Sequence, residues 1–167
     1  MINISKLLQS EKLCLMMILI MGVLTYTYIS MPNFGIGVYD DSGSNFFAGE
    51  NILKGNIDYL RTPVYPLICC FFAWISADYA LRMIVVLQLF IFLSSAIPLY
   101  FSLKHLTKRT GLSFIITAIY TCFPTFLIYT NLIFTESLAI SSTTYLIYFL
   151  TASVCGSHKA RSCSAAI

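Results

Sequence analysis

Charged side chains are the scarcest class in this sequence. Asp, Glu, Lys and Arg make up 10% of 167 residues, whereas a soluble domain carries about 25%. Hydrophobic residues reach 58%, and the mean hydropathy is +0.82. So little charge cannot cover a water-facing surface, and the class is therefore integral membrane protein. The formal charge of +3 is small and dispersed, which argues against a nucleic-acid partner. The chain has no G-x-G-x-x-G, no P-loop and no nucleophile elbow, so nothing points to soluble nucleotide binding. Cysteines stand at 14, 69, 70, 122, 155 and 163 with no CxxC spacing and no nearby His partner. Most lie in apolar runs, which reads as buried thiols rather than disulfides or a metal site. No internal repeat and no low-complexity linker interrupts the chain.

What is present is a series of apolar runs. Residues 13–31 carry no charge and are long enough to cross a bilayer, which takes about 20 residues. Lys6 and Lys12 ahead of this run also fit a signal peptide, but the run ends in Tyr26, Tyr28 and Met31-Pro32 without a small-residue cleavage site, so an uncleaved anchor is expected. Residues 81–103, 111–129 and 131–150 form three further spans. Pro63 to Ala77 is apolar but short, in the range of re-entrant or interfacial segments. Loop charge supports leaving it out of the membrane. If it does not cross, Lys6, Lys12, Lys104, Lys108, Arg109, Lys159 and Arg161 fall on one side, and the acidic loop 32–80 falls on the other. The expected fold is an all-α multi-pass membrane protein of about four spans, with an external juxtamembrane helical loop after the first. Both termini are expected in the cytoplasm, in the cell (inner) membrane. Residues 153–167 read as an irregular tail.

The one long polar stretch, Tyr39 to Pro66, holds Asp40, Asp41, Glu50 and Asp58. Within it, Ser42 or Ser44 can cap a helix running to Lys54, with Glu50 and Lys54 at the favoured i,i+4 spacing and Gly55 as a C-terminal stop. Phe46, Gly49, Glu50 and Leu53 recur at helical spacing, as in an interfacial helix. Asp40-Asp41 at a membrane surface could supply a general base, and a solvated loop turn is the bland alternative. Arg61 could hold a phosphate through its fork of donors, or sit among lipid head groups with Tyr65 as an interfacial anchor. Glu136 lies a few residues inside the last apolar run, where an acid is a functional-site candidate unless it reaches water or caps the helix. His105 fits a solvated turn better than a ligand set.

The order of these features resembles the N-terminal part of the GT-C superfamily of membrane glycosyltransferases, which includes protein O-mannosyltransferases and lipid A aminoarabinose transferases. The residues that carry the likeness are Asp41-Ser42 after the first span, then Phe46-Phe47-Ala48 through Leu53 and Gly55. Arg61-Thr62-Pro63-Val64-Tyr65-Pro66-Leu67 follows, and Thr135-Glu136 comes later. Asn45 stands where many members have Tyr, and the acidic pair is Asp-Asp rather than Asp-Glu, which leaves two candidates for the catalytic aspartate. The register with Ser42 favours Asp41. The resemblance implies transfer of a sugar from a polyprenyl-phosphate-linked donor at the external face, with Asp41 and Asp40 catalytic and Arg61, Tyr65 and Glu136 binding substrate. A divalent cation near the phosphate is a further implied role for Asp41. Family members carry more spans, so the expectation is a fragment, with a tail from about Val154 foreign to the family and doubtful activity from this chain alone. The alternative is a non-enzymatic membrane protein whose helices pack with a partner through Ser94-Ser95-Ala96 and Ser141-Ser142-Thr143-Thr144.

Overall fold

The computed structural model describes residues 11–33, 40–56, 63–132 and 135–164, and side chains only outside 31–33, 40–43 and 155–164. All the regular structure there is helical: α1 (Glu11–Asn33), α2 (Asp40–Leu53), α3 (Val64–Ile75), α4 (Ala80–Thr107), α5 (Thr110–Cys122), α6 (Pro124–Asn131) and α7 (Glu136–Ser164). Three helices, α1, α4 and α7, are long and apolar enough to cross a membrane, and α5 with α6 makes a bent fourth candidate. The chain is thus an all-α protein with the build of a multi-pass membrane protein.

α4 is the central element. In its membrane-length window 44% of residues are buried, against 17% in α1 and in α7, so α4 is covered by protein where its neighbours are not. Cross-helix hydrogen bonds define the directions. Gln88, Ser94 and Ser102 of α4 meet Ser137, Tyr145 and Thr151 of α7 in ascending order, so these two helices run parallel. Phe92 and Ser95 meet Phe126 and Tyr120, which makes the α5–α6 arm antiparallel to α4. α1 runs against α4, because Glu11 at its start is ion-paired with Lys104 near the end of α4. Tyr26 O–H donates to Asn131 Oδ1 at 2.7 Å, and Asn131 Nδ2 donates to Ser30 Oγ at 3.1 Å, tying the far ends of α1 and α6. The long elements therefore alternate in direction. One end carries the start of α1 and the basic α4–α5 turn. The other carries α2, α3 and the start of α7. This is the arrangement expected if Pro63–Ala77 does not cross.

Three sequence expectations change. Residues 111–129 are not one straight helix, because the axis bends by 43° between α5 and α6. Pro124 lacks the N–H that would continue α5, and it holds Phe123 in an extended conformation, φ −69° and ψ 116°. The last span begins at Glu136 rather than at Asn131, since Asn131 ends α6. Residues 153–164, read as irregular, continue α7, where no proline interrupts a run containing helix-favouring Ala, Lys and Arg. Pro98, in contrast, is accommodated inside a continuous α4.

Candidate functional site

Of the candidate residues, Asp40, Asp41, Tyr65 and Glu136 lie at the end of the molecule that carries α2 and α3. α2 starts at Asp40, so the aspartate pair occupies its first turn, ahead of the serine caps expected from sequence. Carboxylates suit that position because a helix N-terminus is partially positive. α2 ends as expected at Gly55, whose φ is 84°. The Gly55 N–H reaches the Ile52 carbonyl at 3.0 Å, and the Asn56 N–H reaches Asn51 at 2.9 Å, the two bonds of a Schellman cap. Glu50 and Lys54 pair at 3.8 Å on the exposed side.

The face of α2 that packs is shifted by one position from the expected one. Asn45, Ala48 and Gly49 are buried, whereas Glu50 and Leu53 face outward. The cause is close approach to α3. A Cβ on Gly49 would lie 2.4 Å from the Pro66 carbonyl oxygen and 2.5 Å from Cys70 Sγ, so only glycine fits. Cys70 Sγ donates to the Phe46 carbonyl at 3.4 Å across the same contact.

α3 carries Tyr65 into the interior. The side chain is 2% exposed and packs with Cys69 and Ile84, with Phe46 and Leu138 alongside. Tyr65 is therefore not the interfacial anchor that its position beside Arg61 suggested. On α3, Trp74 (83% exposed) and Phe71 face outward instead. Burial, then the proximity of Cys69 and Glu136, keeps the Tyr65 hydroxyl protonated well above the ordinary tyrosine range, with the Gln88 side chain working against them. Below the ring, Gln88 Nε2 donates to Ser137 Oγ at 2.9 Å, joining α4 to the first turn of α7. Burial and then the neighbouring Cys70 push the Cys69 thiol up to about 12, so it is a packing group and not a nucleophile at neutral pH.

The structure thus brings Glu136 within electrostatic range of Tyr65, although 71 positions separate them in sequence. Glu136 is exposed and is the first residue of α7, so it is not an acid inside a span and the cost argument from the membrane interior lapses. For Asp40 and Asp41 the structure gives the backbone position, one turn before the buried Asn45. Arg61 lies outside the described residues. Among the described residues no three His, Cys, Asp or Glu side chains come together, so no ligand set for a cation can be named. Gln88 and Ser137 are uncharged, so a search of the spans for charged residues does not single them out. An amide inside the run Met83–Phe90 was the available signal.

Cys14, Cys69 and Cys70 are buried, as their apolar runs led one to expect, and Cys122 is partly buried. The second reading of the chain, packing against a partner through Ser94–Ala96, meets a different finding. Ser94 and Ser95 bond to Tyr145 and Tyr120 within the chain, at 2.9 and 2.8 Å, and Ala96 is buried. Ser141 and Thr144 are also buried, leaving Ser142 and Thr143 outside. Compared with known proteins, the chain finds no match among family models, curated proteins or solved structures.

Proposed function

We propose that this chain belongs to a membrane glycosyltransferase, acting on a polyprenyl-phosphate-linked sugar at the external face. The observation that carries the reading is convergence. The helix bearing Asp40-Asp41, the short apolar α3 that follows Arg61, and the Glu136 end of α7 share one end of the bundle. The basic turn Lys104–Arg109 lies at the other end, and the positive-inside bias supports a cytoplasmic side for it and an external side for the acidic end. α3 is too short to cross a membrane and holds α2 through the Gly49 contact, so Asp41 sits on a braced helix at the boundary.

In this reading Asp41 takes the proton from the acceptor hydroxyl as its oxygen attacks the anomeric carbon. The new carbon–oxygen bond forms as the bond to the donor phosphate breaks, and that electron pair leaves with the lipid phosphate. Arg61 offsets the charge that develops there, and Asp40 supports Asp41. Tyr65, being buried, acts through the position of α3 rather than by touching substrate. Proteoliposomes holding the full chain, supplied with a labelled polyprenyl-phosphate sugar and an acceptor, test the reading. Asp41→Asn should remove transfer at unchanged expression. Retained transfer in that variant sinks the assignment.

A further inference from the structure

At the end of the bundle opposite α2 and α3, a cavity of about 370 Å³ opens between the start of α1 and the end of α4. That is within the range of roughly 300–1,000 Å³ that holds small ligands. Its walls are Glu11 of α1 and Phe101, Lys104, His105 and Lys108, which recur at i, i+3, i+4 and i+7 along one face of α4 and its cap. Among the described residues the one ion pair here joins Lys104 to Glu11. A single carboxylate therefore stands against two ammonium groups and an imidazole. Glu11, His105 and Lys108 are exposed, whereas Phe101 and Lys104 are partly buried.

Helix register sets the depth of this cavity. Gln88 of α4 is level with Ser137, in the first turn of α7 at one membrane boundary. At 1.5 Å per residue, Lys104 and Lys108 lie about 24 and 30 Å further along α4, and a hydrocarbon core is about 30 Å thick. The basic groups thus reach the opposite head-group layer, and Phe101 sits one turn below them at the edge of the acyl region. A helix C-terminus favours cations, and Lys104 and His105 already supply these in the last turn. Lys108 goes further. It caps α4 in the left-handed conformation, φ 57°, with its N–H on the Lys104 carbonyl at 3.0 Å, a position where glycine is the usual residue. The chain keeps an ammonium group where the backbone alone would favour no side chain.

We propose that this cavity seats the head group of one anionic phospholipid from the adjoining leaflet. Lys104 and Lys108 hold the phosphate, His105 donates an N–H to it, and Phe101 packs against the first carbons of an acyl chain. Basic pockets between spanning helices at a membrane surface suit such head groups. A phosphate on Lys104 competes with Glu11, so that carboxylate tempers the affinity. The proposal stands apart from glycosyl transfer, which is read at the opposite end of the bundle.

The test uses the purified full chain, delipidated in detergent and titrated with phosphatidylglycerol or phosphatidylcholine of matched acyl chains, with bound lipid counted by native mass spectrometry. Phosphatidylglycerol should bind about tenfold more tightly, as one or two lysines on an anion imply. The double variant Lys104→Gln, Lys108→Gly should bring the two lipids level with the circular dichroism of the wild type, since glycine suits the cap. Glu11→Gln should widen the preference, and Arg82→Gln, on the first turn of α4 at the other end, should leave it as it was. Equal binding of the two lipids by the wild type overturns the proposal. So does a preference that survives the double variant, fails to widen in Glu11→Gln, or is lost in Arg82→Gln. Displacement of phosphatidylglycerol by inorganic phosphate at matched ionic strength overturns it as well and assigns the cavity to a soluble anion.

Discussion

At the scale of single residues, the contact that joins α3, α4 and α7 is built on an amide. Gln88 is 1% exposed and Ser137 equally buried, and their bond links the central helix to the turn that carries Glu136. Removing either partner leaves the other polar group without its bond in an apolar setting, whereas removing both takes the demand away. A double-mutant cycle with Gln88→Leu and Ser137→Ala should therefore give a coupling of about 0.6–1.7 kcal/mol, from the average to the largest value found for interhelical hydrogen bonds in a membrane protein. Reversible unfolding in mixed micelles measures it, and strictly additive single effects would show that the bond contributes nothing. Such a pair was open to sequence reasoning in kind but not in pairing. An amide among Met83–Phe90 is conspicuous, but nothing in a linear string says that its partner stands 49 residues later. Tyr65 shows the opposite failure. An aromatic next to Arg61 at a membrane boundary looks like an interfacial anchor, and only the contact with Ile84 reveals that the ring turns inward.

At the scale of elements, helix ends were more legible than helix faces. Gly55 stops α2 because only a residue free of Cβ strain adopts φ 84° easily, and that is a local property. The faces depend on the neighbour. Hydropathy favoured Phe46, Gly49, Glu50 and Leu53, yet the packed face is Asn45, Ala48 and Gly49 because side-chain size decides how near α3 can come. Gly49→Ala should accordingly loosen the α2–α3 pair by about 1–3 kcal/mol, the usual cost of overpacking. Limited proteolysis around residues 54–63 reads that loosening directly: faster cleavage in the variant is expected, and an unchanged rate would mean that the contact at Pro66 and Cys70 yields without penalty. The bend at Pro124 was also marked in the sequence, but one proline near the end of an apolar run does not say whether the helix breaks or absorbs it. Pro98 sits inside α4 without a break, and it is Phe123, held extended, that separates α5 from α6.

At the scale of the whole molecule, the alternation of α1, α4, α5–α6 and α7 is legible in loop charge and span length alone. Its sharpest check is sidedness. In a cysteine-free background, single cysteines at Asn56 and at Lys108 should be labelled by a membrane-impermeant maleimide from opposite faces of sealed vesicles. Labelling of both from one face would require α3 to cross and would undo the topology. The candidate site was legible only as scattered residues. That Tyr65 packs with Leu138, in the first turn of α7, goes with α4 and α7 running parallel, a relation that sequence spacing does not carry.

That parallel pairing also has a consequence for how the chain is made. A helix cannot pack beside a parallel neighbour until the chain has crossed back once, so the polar row of α4, Gln88, Ser94 and Ser102, is synthesised before its α7 partners exist. With 49 residues between Gln88 and Ser137, translation at about 5–20 residues per second leaves that row without α7 for roughly 2–10 s. During this interval α4 depends on the translocation machinery, on water or on α5 to cover its amide and hydroxyls. The arrival of α7 is then the step that covers this row.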